Sequence, residues 1–171
     1  LTEAGLKIVA VADSKGVIYN QNGLPWKEVL KVKKAKGSVI NFLNSEKLSN
    51  DRIFTLPVDV LIPAALPDVI NEKNMNAVKA KIIVEGANIS ITSEAEEKLH
   101  ARGVLIIPGI LANAGGVISS FAEHKGYSAE KMFKLVREKI SKSVSTALTR
   151  HAKTGKPLLE IAAQMAWERL S

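Results

Sequence analysis

One carboxylate stands where it could do chemistry: Asp13 directly follows the apolar run Lys7–Ala12. In a doubly wound nucleotide-binding fold, the acidic residue that ends the second strand hydrogen-bonds the adenosine ribose hydroxyls. The alternative is a loop aspartate in the turn Asp13–Gly16, and the pattern alone favours it, because aspartate and glycine are common turn residues. The glycine-rich fingerprint expected about 20 residues before such an aspartate is absent from this sequence.

Metal chemistry is a weaker alternative. The three histidines, His100, His124 and His151, are far apart, and none has a carboxylate at a ligand spacing such as H-E-x-x-H. The chain has no cysteine, so it contains no disulfide, thiolate nucleophile or thiolate metal site. We therefore interpret the histidines as surface residues.

The elements that must position Asp13 are short strands and amphipathic helices. Apolar, β-branched runs predict four buried strands, over Lys7–Ala12, Val58–Ile62, Lys81–Val84 and Val104–Ile107. Helical patterns cover residues 27–36, 71–78, 93–102, 113–125, 128–153 and 157–170. Continuous apolar runs are typical of a parallel sheet covered on both faces, so the β-α-β-α-β order predicts an open α/β sheet followed by helices. Ser93 and Glu96 form a possible capping box.

Composition narrows the class of protein. With 171 residues and 46% hydrophobic content, the chain is long and apolar enough for a globular core. It shows neither a membrane-length apolar run nor a signal peptide, so we expect a soluble, cytoplasmic protein that does not bind a membrane. The net charge of +7 would attract nucleic acid, but the lysines of Lys27–Lys36 fit a solvated helix face and the chain is only 5% aromatic. We therefore expect no nucleic-acid partner.

Four ordered motifs carry a family resemblance. These are residues 10–20 (AVADSKGVIYN) with Gly23-Leu24, residues 59–65 (DVLIPAA), residues 85–88 (EGAN), and residues 107–108 with 111–117 (LANAGGV). Together they resemble glutamate dehydrogenases of the glutamate/leucine/phenylalanine/valine dehydrogenase superfamily, particularly archaeal ones. The similarity runs from about Lys7 to the carboxyl end, and it implies the nucleotide-binding portion of such an enzyme. The fold expected is a truncated Rossmann-like doubly wound sheet that lacks its first strand, followed by carboxyl-terminal helices.

The resemblance also implies roles for individual residues. Ala64 and Ala65 would let an adenosine approach the backbone, Asn88 would contact the nicotinamide-side ribose, and Asn113 would lie near the nicotinamide carboxamide. Asp13 would bind the adenosine ribose. Without the resemblance, the interpretation as a turn or cap residue is favoured at each of these positions.

The implied substrate is L-glutamate, which the family converts to 2-oxoglutarate and ammonia. Val117 and Ser120 match positions that line the pocket for the glutamate side chain, with Ser120 aligned to a hydroxyl that binds the distal carboxylate. Asp13 favours NAD, whereas Ser14 and Lys15 could accommodate the extra phosphate of NADP. We lean to NAD.

Two departures from the family pattern concern the same site. Ile89–Ser93 stands where the family commonly has prolines, and Gly109 replaces a commonly acidic residue. Both predict a locally different pocket.

We predict two segments of one domain: a truncated NAD(P)-binding part over residues 1–111 and a helical part over residues 112–171. The catalytic lysine and aspartate of the family lie in its amino-terminal domain, and the sequence does not begin with methionine. We therefore expect a fragment that is inactive in isolation. The alternative is a non-catalytic nucleotide-binding relic or complementation subunit.

The missing first strand should leave a gap at the centre of the sheet. Lys7–Ala12 could then pair with Val58–Ile62, another chain could fill the gap, or exposed strand edges could drive association. We expect a homo-oligomer or an association with a missing amino-terminal half.

Overall fold

The computed structural model describes residues 1–170, which form two compact units. Unit 1 consists of Leu1–Val58 with Ala77–Lys79, and unit 2 consists of Asp59–Asn76 with the chain from Ala80 onward. Each unit has its own three-stranded sheet. Across residues 1–170, no helix is long and apolar enough to cross a membrane.

Unit 1 contains an antiparallel sheet in the order β1-β2-β3. Its strands are β1 (Ala10–Asp13), β2 (Gly16–Tyr19) and β3 (Glu46–Leu48). Asp13 pairs with Gly16, so only Ser14 and Lys15 form the loop between β1 and β2. The turn recognised in the sequence is therefore the loop of a β-hairpin.

The predicted place of the first strand is wrong. Lys7–Ala12 was expected to lie in the parallel sheet, with pairing to Val58–Ile62 as one possibility, but β1 pairs with β2 instead. The physical reason is local. The β-branched and aromatic run of β2 follows a two-residue loop, so the chain folds back before any crossover helix can form. Val17 and Ile18 of β2 are fully buried.

Helix α1 (Trp26–Lys36) follows this hairpin and confirms the helix predicted over residues 27–36. It ends at Gly37, whose φ of 78° is the left-handed conformation common at helix ends. The core of unit 1 joins the sheet to this helix and the loop after it, through Ile18, Leu24, Val29, Val39 and Phe42.

Unit 2 contains a parallel sheet in the order β4-β5-β6. Its strands are β4 (Val60–Leu61), β5 (Ile82–Val84) and β6 (Leu105–Ile107), which confirm the last three predicted strands. Helix α2 (Ser93–Ala101) lies between β5 and β6 along the chain. Its N-cap is Thr92, whose hydroxyl accepts a hydrogen bond from the Ala95 amide. The predicted capping box of Ser93 and Glu96 is therefore wrong, because the cap lies one residue earlier and Ala95 has no side chain to complete a box.

The helix predicted over Asn71–Val78 is wrong. Only Met75–Ala77 forms a short 3-10 turn. The Asn71 amide donates to the side-chain oxygen of Asn74, and the side chain of Asn71 accepts from the amide of Lys73. Such local side-chain bonds offer the backbone an alternative to the helix.

Four helices complete unit 2: α3 (Gly109–Ala112), α4 (Gly115–His124), α5 (Ala129–Thr154) and α6 (Leu158–Leu170). They confirm the helical carboxyl-terminal part, although a division at residue 111 stays a prediction. Helices α3, α5 and α6 pack on the end of the parallel sheet in a cluster of Ile107, Leu111, Ala147, Leu158, Ile161, Ala162 and Met165. The core therefore fixes α3 close to the carboxyl end of β6.

Candidate functional site at the carboxyl ends of the parallel strands

Backbone hydrogen bonds hold together the segments that leave the three parallel strands. The amides of Gly86 and Ala87 both donate to the carbonyl of Pro63, at 2.9 and 3.0 Å. The amide of Glu85 donates to the carbonyl of Ile107 at 3.0 Å. In open α/β sheets, ligands bind beyond this edge, so the site must be sought here.

Close packing at this edge depends on Gly86. A Cβ built on Gly86 would lie 2.9 Å from the Cβ of Ala64, closer than side chains tolerate. Ala64 and Ala65, the predicted adenosine contacts, follow Pro63 and are exposed. Small residues therefore let the segments after β4 and β5 approach each other and leave an open surface beside them.

A buried carboxylate lies beneath this edge. The side chain of Glu85 accepts hydrogen bonds through Oε1 from the amide and hydroxyl of Ser90, both at 2.8 Å, and from the Ile91 amide at 3.2 Å. Its Oε2 accepts from the Gly109 amide at 2.9 Å. Only 7% of Glu85 is exposed, and it forms no salt bridge within residues 1–170. Burial and the negative charge of Glu85 raise the pKa of Glu96.

The structure brings together the two predicted asparagines. Asn113 donates from Nδ2 to Oδ1 of Asn88 at 2.7 Å, although they are 25 residues apart in sequence. Asn88 is exposed, and Asn113, which ends α3, is half-buried. A Cβ on Gly109 would lie 3.0 Å from Asn113 Nδ2, so the departure from the family pattern at this position gives Asn113 its space.

Backbone strain lies next to the asparagine pair. Ile89 has a φ of 49° and is 70% exposed. The left-handed conformation is unfavourable for a β-branched residue and persists only where the surroundings enforce it. Here the Ile89 carbonyl accepts from the amide of Asp68, which itself has a φ of 51°. Such strain clusters at ligand-binding positions.

The predicted substrate residues lie on α4, which begins two residues after Asn113. Val117 is 79% exposed. Ser120 is also exposed, and its hydroxyl donates to the carbonyl of Gly116 at 3.1 Å. To donate to a substrate carboxylate, Ser120 would have to exchange that bond.

Asp13 lies in unit 1, where protein donors already satisfy its carboxylate. Oδ1 accepts from the Lys15 amide and the Ser38 hydroxyl, at 2.9 and 3.0 Å. Oδ2 accepts from the Lys33 ammonium and the Val39 amide, at 2.5 and 2.9 Å. A carboxylate has about four lone-pair sites, so a ribose hydroxyl would have to displace one of these donors. Ser14, next to it, is exposed.

The pKa of Asp13 follows from the same contacts. Burial opposes ionisation, but the hydrogen bonds from Lys33, Val39, Lys15 and Ser38 outweigh it and hold the pKa far below its usual range. The side chain is 11% exposed. Asp13 is therefore ionised at neutral pH and ties the hairpin to α1 and to the segment after it.

Sequence reasoning missed three residues of these networks. The motif of residues 85–88 contains Glu85 but predicts no role for it, and the charge pattern of α1 places Lys33 on a solvated helix face. Ser38 was not considered. A signal for Glu85 did exist, because an acidic residue directly follows a buried strand and precedes a glycine. No local signal marks Lys33, whose orientation toward Asp13 depends on the fold of unit 1.

Comparison with known proteins identifies the family. The family model of glutamate/leucine/phenylalanine/valine dehydrogenases matches residues 1–171. The chain belongs to this family. Its match to the crystal structure of a hetero-hexameric glutamate dehydrogenase from Thermus thermophilus, in the leucine-bound form, has a TM-score of 0.85 and 30% identity. That match covers 99% of this chain and 41% of the Thermus chain, and it confirms the predicted α/β fold class.

Two curated relatives agree with this assignment. The chain is 43% identical to a glutamate dehydrogenase of Aeropyrum pernix, over 99% of its own length and 43% of the relative. It is 45% identical to an NADP-specific glutamate dehydrogenase of Saccharolobus shibatae, over 72% of its length and 29% of the relative. The chain thus spans less than half the length of these relatives.

The Asp13 network predicts an acid-sensitive unit 1. Because its pKa is lower in the folded than in the unfolded chain, Asp13 contributes stability fully above about pH 4, and that contribution is lost as the pH falls further. Asp13→Asn should lower the free energy of unfolding at pH 7 by about 1–3 kcal/mol and flatten its acid dependence. Urea unfolding followed by Trp26 fluorescence in a Trp167→Phe background measures this.

The matched control for this prediction is Asp59→Asn, because Asp59 pairs with Lys81 at 3.0 Å while both side chains are at least 80% exposed. An exposed pair contributes about 0–1 kcal/mol. Equal effects of the two substitutions would show that the Asp13 network does not stabilise unit 1.

The contact between Gly86 and Ala64 predicts a steric effect in unit 2. Gly86→Ala should destabilise the chain by about 1–3 kcal/mol, because the added methyl overpacks the strand ends. Gly116→Ala is the control, since its Cβ would meet nothing within 4 Å. Thermal unfolding compares the two, and restoration by Ala64→Gly in the Gly86→Ala background identifies the contact. Failure of this second substitution to restore stability would refute the steric explanation.

Proposed function

We propose that this chain provides the nicotinamide-dinucleotide-binding portion of a glutamate dehydrogenase. The observation that supports this most directly is the Asn88–Asn113 pair at the carboxyl ends of the parallel strands. Asn88 Nδ2 and Asn113 Oδ1 have no hydrogen-bond partner within residues 1–170. The NH₂ group of Asn88 and the carbonyl oxygen of Asn113 are therefore left as a donor group and an acceptor group for a ligand at this edge.

These free groups fit the cofactor that the family uses. A nicotinamide carboxamide and its ribose both need a donor and an acceptor, which an asparagine amide supplies. We propose that Asn113 binds the carboxamide, that Asn88 binds the adjoining ribose, and that the exposed surface at Ala64 and Ala65 receives the adenosine. For Asp13 and Ser14 of unit 1, the resemblance implies contacts with an adenosine ribose, and Asp13 could make such a contact only by exchanging one of its four protein donors.

The proposed reaction is the oxidative deamination of L-glutamate to 2-oxoglutarate and ammonia. The hydride chemistry comes from the nicotinamide when it is bound. Residues of this chain orient the reactants: the asparagine pair holds the ring end of the cofactor, and Val117 with Ser120 would contact the glutamate side chain. Ser120 has the hydroxyl that a distal carboxylate requires.

The cofactor preference proposed here is NADP. The lean to NAD has no support among the relatives, and the Saccharolobus enzyme is named as NADP-specific. The geometry of Asp13 also favours this choice, because its carboxylate is occupied by four protein donors, including Lys33. Ser14 and Lys15 are exposed in the adjoining loop and offer a hydroxyl and a positive charge to a 2′-phosphate.

This proposal predicts selective binding. The purified chain should bind NADP more tightly than NAD, and Lys15→Ala should weaken NADP binding by about three- to tenfold while leaving NAD binding nearly unchanged, since one exposed phosphate contact contributes about 1 kcal/mol. Isothermal titration calorimetry measures both affinities. Lys34→Ala, an exposed lysine of α1, is the control. Equal loss of NAD and NADP affinity in Lys15→Ala would refute the phosphate contact.

The alternative function is a non-catalytic binding module, either a nucleotide-binding relic or a subunit that complements a separate amino-terminal half. It is favoured by the fact that no lysine or aspartate of this chain matches the catalytic lysine and aspartate of the family. We propose that the protein works in an oligomer or with such a partner, as the hetero-hexameric Thermus enzyme does.

One assay tests whether the chain alone is inactive, as both functions imply. We expect the purified chain to bind NADP but to give no glutamate-dependent formation of reduced nicotinamide, because no residue here transfers the proton of the amino group. Reduced nicotinamide absorbance is followed with the chain alone, and a complete glutamate dehydrogenase is the positive control. Turnover by the chain alone would overturn the expectation of inactivity and establish it as a self-sufficient enzyme.

A further inference from the structure

Glu85 has no part in the function proposed so far, yet its burial requires an explanation. An ionised carboxylate loses its hydration when it is buried, and this costs free energy unless hydrogen bonds replace the water. Among the described residues 1–170, Glu85 meets that condition with four protein donors and no cationic partner. Its neighbours along β5 are apolar, so a further apolar residue would have been the simpler way to fill this position.

The four donors come from two different segments of the chain, each of which follows a parallel strand. Ser90 and Ile91 belong to the loop after β5, two to three residues beyond Asn88. Gly109 belongs to the start of α3, after β6. The carboxylate of Glu85 therefore binds both segments. The segment after β5 contains Asn88, and α3 ends at Asn113.

A continuous path of hydrogen bonds leads from Glu85 to the asparagine pair. Glu85 Oε2 accepts from the amide of Gly109, and the carbonyl of Gly109 accepts from the amide of Asn113 at 2.9 Å. Asn113 Nδ2 in turn donates to Asn88 Oδ1. On the other side, Ser90 is held only two residues from Asn88. The segments that carry Asn88 and Asn113 are thus both held by hydrogen bonds to the carboxylate of Glu85.

We propose that Glu85 is a positioning residue that sets the geometry of the Asn88–Asn113 pair for ligand binding. It touches no ligand itself. The choice of glutamate follows from chemistry: a carboxylate is acceptor-only and can receive all four donors, whereas the NH₂ of a glutamine would face one of these N–H or O–H groups. The identity of the ligand rests on the proposed function, but the role of Glu85 in the geometry of the asparagine pair does not.

The first experiment measures the geometry without any ligand. In Glu85→Gln, the side-chain amide of Asn113 should lose its hydrogen-exchange protection and shift in ¹⁵N–¹H spectra, while the backbone amide of Ile83 in the core stays protected. Glu85→Asp should only partly restore the pair, because its side chain is one methylene shorter. Leu99→Ala is the matched control, since it removes a fully buried side chain of unit 2 outside this network.

The second experiment measures NADP affinity of the same variants by calorimetry. Glu85→Gln should weaken binding about tenfold or more, the effect of one lost charge-assisted hydrogen bond, whereas Leu99→Ala should lower the unfolding temperature with little change in affinity. An unchanged Asn113 signal in Glu85→Gln would overturn the proposal, as would equal affinity losses in the two variants. If the unaltered chain binds no nucleotide, the proposed function fails, and the Asn113 spectra alone decide the role of Glu85.

Discussion

The hydrogen bonds accepted by Glu85 are the interaction on which the site depends. Parallel strands present their carboxyl ends at one edge, but the loops that leave them are free to diverge unless something joins them. Here a single buried carboxylate binds the loop after β5 and the start of α3. The packing of α3 against α5 and α6 then makes the position of Asn113 a consequence of the unit 2 core.

The two units differ in how their neighbouring strands are connected. In unit 1 a two-residue loop lets β1 pair with its immediate successor, whereas in unit 2 each parallel pairing needs an intervening connection. The run before Asp13 has the same apolar, β-branched composition as the strands of unit 2. What distinguishes it is the chain that follows, because Val17 and Ile18 offer a partner at the shortest possible distance. The short loop after β1 therefore determines that β1 pairs with β2.

The sequence predicted much of the fold and less of the site. Apolar runs located β4, β5 and β6, and helical periodicity located α1, α2, α5 and α6. The prediction failed at the hairpin, and at Asn71 and Asn74, where side chains compete with the helix. The family motifs identified Asn88 and Asn113, which the structure joins. Periodicity could not reveal Lys33, because its partner Asp13 becomes a neighbour only after folding, whereas Glu85 is marked in the sequence by its place directly after a buried strand.

The two central carboxylates show how different surroundings satisfy the same chemical group. Asp13 and Glu85 each accept four hydrogen bonds, and one of the four donors to Asp13 is the ammonium of Lys33, which helps to keep Asp13 ionised far into the acid range. Glu85 has neutral donors only, and its charge is felt by Glu96, whose pKa is raised. The Lys33 contact makes Asp13 a strong structural tie and a poor acceptor for further ligands. Glu85 likewise acts through the segments it holds, so at the ends of the parallel strands the side-chain amides of Asn88 and Asn113, rather than the carboxylate, are the groups that can meet a ligand.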